Sequence, residues 1–284
     1  GNDCDHGGHH DACRRGHDGQ PDARGERYSH GDEDCQHELG NFWYGPYMSA
    51  VTQAVLSAYC AAAAVADVTR EATDSFSFLT ANTYTETGAS IGTAVADRLV
   101  FVAISGANAA ATAGIDSMTI GGVAATLASS VTRVGSIASY LSEIWYAAVP
   151  TGTTANIVLT FTGDTIGASA AVYKVLNADS VTPIASQNTG SVASGNVSAA
   201  VTIGNQTAVI ATAQCGVDTA DVNITWTNAT EDFDLAVDLG GIFANNGFAS
   251  RADTSGPGST TITASPADAD TDANKTLAIV VIQP

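Results

Sequence analysis

Cys4, His6, His9, His10 and Cys13 crowd into the stretch CDHGGHHDAC. Thiolates and imidazoles are the ligands zinc takes, four together, at short spacings that a turn can close. Cys4 and Cys13 stand further apart than the about two to four residues usual between paired zinc cysteines. No spacing compels Cys35 or His37 to complete a set. A tract of this composition attracts metal adventitiously. A dedicated zinc site on Cys4, His6, His9, His10 and Cys13 is the sharper reading of the same residues.

A second ligand-like pattern is DADTDAN, which sets Asp268, Asp270, Asp272 and Asn274 at alternate positions. Alternating oxygen ligands in a loop suit calcium, a hard cation. The EF-hand pattern fails, because Ile279 stands where its glutamate belongs, and a plain acidic loop is the competing reading. Rings offer a third possibility, a platform for sugars. Tyr140 and Tyr146 share one face of a strand and Trp145 takes the other, where burial is its default. Trp226, between Asn223 and Asn228, reads as the exposed ring, so these three residues are the candidate ligand site.

Catalytic chemistry finds less support. No histidine follows His37. A Ser–His–Asp triad or a histidine metal site is therefore excluded from residues 75–284. Cys215 ends an apolar run and reads as a small core residue. TEDFDLAVD carries Glu231, Asp232, Asp234 and Asp238. A glycosidase needs two carboxylates across a cleft, and nothing here selects a pair, so the segment reads as a solvated acidic edge. The expectation is no catalytic residue, and no cofactor beyond calcium.

Ten Lys and Arg stand against 29 Asp and Glu, a formal charge of −19. Phosphate recognition needs clustered basic side chains, so nucleic acid is excluded as a partner. Adhesion to anionic membranes is disfavoured on the same ground. No run reaches the about 20 apolar residues of a membrane span. AVLSAYCAAAAVA (54–66) has the look of a signal core but lacks a basic flank. It reads as an Ala-rich helix over 49–68 instead.

The chain changes character twice. Residues 1–47 hold all 6 histidines and have almost no aliphatic content before Phe42. Such a segment cannot bury enough apolar surface to offset its ordering entropy, which predicts disorder. Its recurring His-Asp, His-Gly and Asn-Asp pairs also fit an out-of-frame reading, with Met48 as the start. Residues 48–74 read as helix and linker. Residues 75–284 read as strands: RLVFVAIS, SMTIGGVAATLA folded at Gly121-Gly122, SYLSEIWYAAV and TANIVLTFT joined at Pro150-Thr151-Gly152, and a final KTLAIVVIQ. The last is apolar throughout, which predicts a central strand covered on both faces. Many short strands without a helical period predict an all-β fold, an antiparallel sandwich or jelly roll. TGASIGTAVADR weakly echoes TGDTIGASAAVYK, too briefly to define a repeat.

The order of these motifs resembles a β-sandwich family found in tailed-phage virion proteins and in extracellular modules of bacterial surface proteins. The resemblance rests on SFLTANTYTETGASIGTAVADRLVFVAISG, SMTIGGVAATLA, SEIWYAAVPTGTTANIVLTFT and AIVVIQP in that order, and it covers about residues 75–284. It implies a non-enzymatic structural protein of a virion or cell surface, such as a decoration, fibre or tail accessory protein. The implied partners are further copies of the chain, as a homo-oligomer, other virion or surface proteins, and host surface glycans. A carbohydrate-binding adhesin module using Trp226 is the alternative, and a glycoside-acting enzyme the third reading.

Overall fold

Alternation with period two is clearest at Val197–Ile203. Val197, Ala199, Val201 and Ile203 are buried there, while Ser198, Ala200 and Thr202 are exposed. Leu99–Ser105, Ala208–Cys215 and Lys275–Ile282 are buried without interruption, so each must be covered on two faces. The computed structural model describes residues 66–76, 82–108, 114–134, 139–161, 167–179, 185–192, 195–204, 206–217, 223–238, 243–252, 258–267 and 274–284. The expected zinc ligands Cys4, His6, His9, His10 and Cys13 lie outside them, as do residues 49–65 of the expected helix and Asp268, Asp270 and Asp272.

Among the described residues the chain forms strands and no helix. The first set is β1 (Asp67–Phe76), β2 (Thr83–Ser90), β3 (Leu99–Asn108), β4 (Ile115–Ile120), β5 (Val123–Ala124), β6 (Thr126–Val134), β7 (Ser139–Ala148), β8 (Thr154–Phe161) and β9 (Gly167–Leu176). The second is β10 (Ala185–Val192), β11 (Val197–Ile203), β12 (Ala208–Val217), β13 (Ile224–Thr227), β14 (Thr230–Asp238), β15 (Phe243–Ala252), β16 (Gly258–Pro266) and β17 (Lys275–Ile282). Asp67 and Val68, placed in a helix by the sequence, instead open β1, which pairs with β9. The β-branched Val68 and Thr69 suit that pleated surface, and Val68 packs on the core.

The strands build four antiparallel sheets, ordered β1-β9-β3-β7-β6, β2-β8-β4-β5, β10-β17-β12-β15-β14 and β11-β16-β13. With the two-residue β5 left out and each set counted from its start, the second five-stranded order repeats the first, and β11-β16-β13 repeats β2-β8-β4. The fold is thus used twice. One apolar cluster joins Val100, Val102, Ile104 and Trp145 to Met118, Ile157 and Phe161, between the two sheets of the first half. A second joins Val209, Ala211, Leu277 and Ile279 to Val201, Ile224 and Ile262 in the second half. A third lies between the two five-stranded sheets. There Phe101, Ile144, Tyr146 and Tyr173 meet Ile210, Phe248, Val280 and Ile282. Each five-stranded sheet is therefore buried on both faces, and β17 sits between β10 and β12. Across the junction β6 packs on β10 and β17, and β14 on β1 and β9. Each half thereby sets its last edge strand over the first edge of the other, an approximate two-fold relation.

Two connections fix the first half. Gly121 and Gly122 have φ of 60° and 80°, the left-handed pair a two-residue hairpin turn needs between β4 and β5. Pro150-Thr151-Gly152 carries the chain from β7 in one sheet to β8 in another, so it is a crossing and not a hairpin. Arg98 holds that crossing. Its guanidinium is buried, and it donates to the carbonyl oxygens of Val149 (2.7 Å), Ile91 (3.2 Å), Gly92 (2.7 Å), Thr151 (2.8 Å) and Gly152 (2.9 Å).

Candidate functional site

The sugar-binding set does not form a platform. Trp226 is 9 % exposed, on the inner face of β13 beside Ile224, and belongs to the second core. Strand alternation explains this: residues 224 and 226 point inward and Thr225 and Thr227 outward. Asn228 is a turn residue with φ of 63°. Its Nδ2 donates to Thr261 O at 2.8 Å and its own carbonyl accepts from Arg251. Asn223 is exposed, and its carbonyl accepts from Ala267 N. Tyr140, Trp145 and Tyr146 are all buried. Of the expected calcium ligands only Asn274 is described. Its Oδ1 accepts from Arg133 Nε and its carbonyl from Gly216 N, so it ties β6 and β12 to the start of β17.

Two carboxylates of TEDFDLAVD, Asp232 and Asp234, are likewise held by the protein. β14 is an edge strand, but a bulge between Glu231 and Phe233 turns Asp232 toward the first half. Asp232 Oδ2 accepts from Tyr173 OH at 3.0 Å. Burial raises the Asp232 pKa, against hydrogen bonds from Ser250 and Tyr173. Burial, then the neighbouring Asp232 charge, pushes the Tyr173 phenol well above its ordinary range. Asp234 Oδ2 accepts from Ile224 N at 2.9 Å, linking the two sheets of the second half. Its pKa is raised, first by burial and then by Glu231. The two aspartates therefore serve different contacts and flank no common cleft.

Sequence reasoning missed Glu143. It is 3 % exposed on β7 and accepts from Trp145 Nε1 (2.8 Å), Ser130 Oγ (3.2 Å) and Ile115 N (3.4 Å). Burial raises its pKa most; the three donors act the other way. Its only sequence signal is the i, i+2 spacing to Trp145, which puts both on one face. Also missed is a hydroxyl layer inside the junction of the halves. Ser105 Oγ and Thr212 Oγ1 share a 2.6 Å bond, Ser142 Oγ and Thr276 Oγ1 one of 2.8 Å, and Asn246 Nδ2 donates to Ser169 Oγ at 3.0 Å.

The most unusual row crosses the second half. Lys275, Cys215 and Asn245 stand directly opposite one another on β17, β12 and β15. All three point to the inner face, with exposures of 0 %, 0 % and 1 %. Asp234, two residues from Asn245's partner Ala236, is the diagonal neighbour on that face. Burial pushes the Cys215 thiol up to about 12, with Lys275 lowering and Asp234 raising it, so both charges act on the same sulfur. A thiol so placed is no nucleophile at neutral pH. Asn245 Oδ1 and Nδ2 and Asp234 Oδ1 are buried and find no hydrogen-bond partner among the described residues.

The outward face of β11-β16-β13 is different in kind. Ser198, Thr263 and Thr227 form one cross-strand row, Ala200 and Thr261 a second, Thr202 and Ser259 a third, and Thr225 and Ser265 a fourth. None of these side chains ionises, in a chain of formal charge −19. Comparison with protein-family models, curated proteins and solved structures returns no match to this chain.

Proposed function

We propose that the chain is a non-enzymatic structural protein of a phage-like virion or a cell surface, built as two tandem jelly rolls. The β1-β9-β3-β7 and β2-β8-β4 orders suit the two facing sheets of a jelly roll, an architecture used in viral capsid and lectin domains. Fold alone does not assign a role. The observation that carries the reading is the doubled order with a buried junction. It joins two modules by a third core and not by a linker, which favours a rigid spacer over a hinged, cleft-forming enzyme. The uncharged hydroxyl face supports assembly with further copies or with other particle proteins, since like charges do not meet there. The adhesin alternative draws nothing from Trp226, whose ring faces the core. Mass spectrometry and immunogold labelling of purified virions and of surface-shaved cells test the proposal. It expects the chain at fixed copy number in one of the two fractions. Recovery only from the soluble lysate would refute it.

A further inference from the structure

We propose that the first half takes up an extended, basic peptide from another protein, added as a strand along β2 with one small aliphatic side chain seated between β1 and β2. The observation is a cavity of about 40 Å³ between these strands. Val102, Ile157, Leu159 and Val172 make its apolar walls, and half-buried Ala72 of β1 and Tyr84 of β2 make its lips. Both lips are edge strands, since β1 ends one sheet and β2 the other. In the second half the corresponding edge is shut, because the β10 backbone runs close along β11. β1 approaches β2 only locally, and the cavity is the space that remains.

Size decides what enters. An apolar cavity of about 150 Å³ binds benzene, and this one, at about 40 Å³, has room for an isopropyl-sized group and none for a ring. A group so small binds weakly by itself, so the rest of the recognition must come from the backbone that carries it. β2 supplies the partner for that backbone. Its outer edge has no strand beside it among the described residues, and TYTETGAS contains no lysine, arginine or proline to block one. A strand added there points alternate side chains inward, over β1. Glu86 selects among such strands. It is the one charged residue of β2, and it lines the cavity beside Tyr84, whose hydroxyl donates to Glu86 Oε2 at 2.8 Å. An inward carboxylate on an edge strand discourages indiscriminate pairing. Two copies of β2 laid together would bring two such carboxylates to one gap, in chains that each carry a formal −19. A second copy is thereby disfavoured, and a peptide with lysine or arginine near its aliphatic residue is matched. The bulge between Glu86 and Ala89, with Gly88 at φ of 73°, interrupts the regular edge, so the added strand pairs over Thr83–Glu86.

The test is titration of the full chain with the blocked peptide Lys-Thr-Val-Thr-Lys, followed by amide NMR. Saturable shifts are expected at Thr83–Glu86 and Ala72. Replacing the valine by alanine is expected to weaken binding about tenfold, the worth of its lost methyl groups, and replacing it by phenylalanine at least as much. The same peptide methylated at every backbone nitrogen is expected not to bind. Replacing both lysines by glutamate is expected to abolish binding to the parent, and Glu86→Gln to narrow that difference. Because a variant could disturb the fold, the peptide series on the parent decides. No saturable shift at millimolar peptide, shifts that map away from β1 and β2, or equal binding of the valine, alanine and phenylalanine peptides overturns the proposal. So does undiminished binding of the methylated peptide, which would mean an aliphatic ligand without strand pairing. Ala72→Leu fills the cavity from its lip and is expected to melt no lower than the parent and to lose the preference for valine over alanine. A folded Ala72→Leu chain that keeps that preference would overturn the cavity as the seat of the side chain.

Discussion

Replacing Arg98 should unfasten one end of the first half while leaving its core intact. Five backbone carbonyls receive the guanidinium, from the β2–β3 connection on one side and the β7–β8 crossing on the other. Thr151 and Gly152 are exposed, so water replaces the donors lost to them. Val149 O and Ile91 O are buried with the guanidinium, and water reaches them only if the crossing opens. A hydrogen bond from a charged donor is worth about 1.5–3 kcal/mol net, so two lost at about 2 each put Arg98→Met near 4 kcal/mol. Lysine keeps the charge but cannot fork between two loops, and Arg98→Lys should cost about 2 kcal/mol. The assay is urea unfolding followed by tryptophan emission in a Trp43→Phe background. Trp145 sits in the first core and Trp226 in the second, so single-tryptophan versions report the halves separately. Because the third core couples the halves, both transitions should move to lower urea together. A shift below about 0.5 kcal/mol for Arg98→Met, the size of an ordinary surface substitution, would refute the clamp.

Three further outcomes follow from the packing and charge of the same elements. The Glu143 pKa is raised above its ordinary 4.5, chiefly by burial, so its contribution is fully present below that value and lost as pH rises through the folded pKa. Glu143→Gln should therefore flatten the decline of the urea midpoint between pH 4.5 and neutrality, and identical slopes in parent and variant would contradict this. Phe101 is fully buried in the junction and stacks on Tyr146 at 5.2 Å. Phe101→Ala should cost about 3–5 kcal/mol and shift both tryptophan transitions in calorimetry-matched melts, whereas a change confined to Trp145 would mean the halves unfold independently. Gly122 has φ of 80° with open space around it, so Gly122→Ala should cost about 1–2 kcal/mol from backbone alone. Gly121→Asn, a residue that hairpin turns accept, should cost less in the same urea titration.

Strand character was legible because it is a local pattern. The run KTLAIVVIQ announces two covered faces, and the structure provides them in the second and third apolar clusters. Gly121-Gly122 announces its turn by the left-handed backbone that only such pairs adopt freely. The duplication was not legible, because topology constrains only which positions are apolar. Val100, Phe101 and Ala103 of β3 correspond to Val209, Ile210 and Thr212 of β12, a match in inward and outward direction with little identity. The short echo TGASIGTAVADR/TGDTIGASAAVYK falls wholly within the first half and marks no repeat. Trp226 misled because its neighbours Asn223 and Asn228 look like a loop. Four residues of strand between them were enough to turn the ring inward. Asp232 takes its role from Tyr173 and Arg98 from the β7–β8 crossing, partners far away in sequence that no spacing announces, and for Glu143 only the i, i+2 spacing to Trp145 does.

The junction explains why a doubled fold need not behave as two domains. A five-stranded sheet with one free face could carry polar residues there. Here that face presents Leu99, Phe101, Tyr146, Tyr173 and Val175 in one half and Ala208, Ile210, Val280 and Ile282 in the other. Apart, each half would expose an apolar surface of a size that soluble monomers rarely tolerate. The hydroxyl layer of Ser105, Ser142, Thr212 and Thr276 lies within the same face. Apolar side chains set the halves together without preference for register. Hydroxyls that bond only in one alignment penalise every other, because a slip would leave them buried and unpaired. Adhesion thus comes from the third core and alignment from the polar layer. The Tyr173–Asp232 bond at the margin fixes the same alignment from a second point.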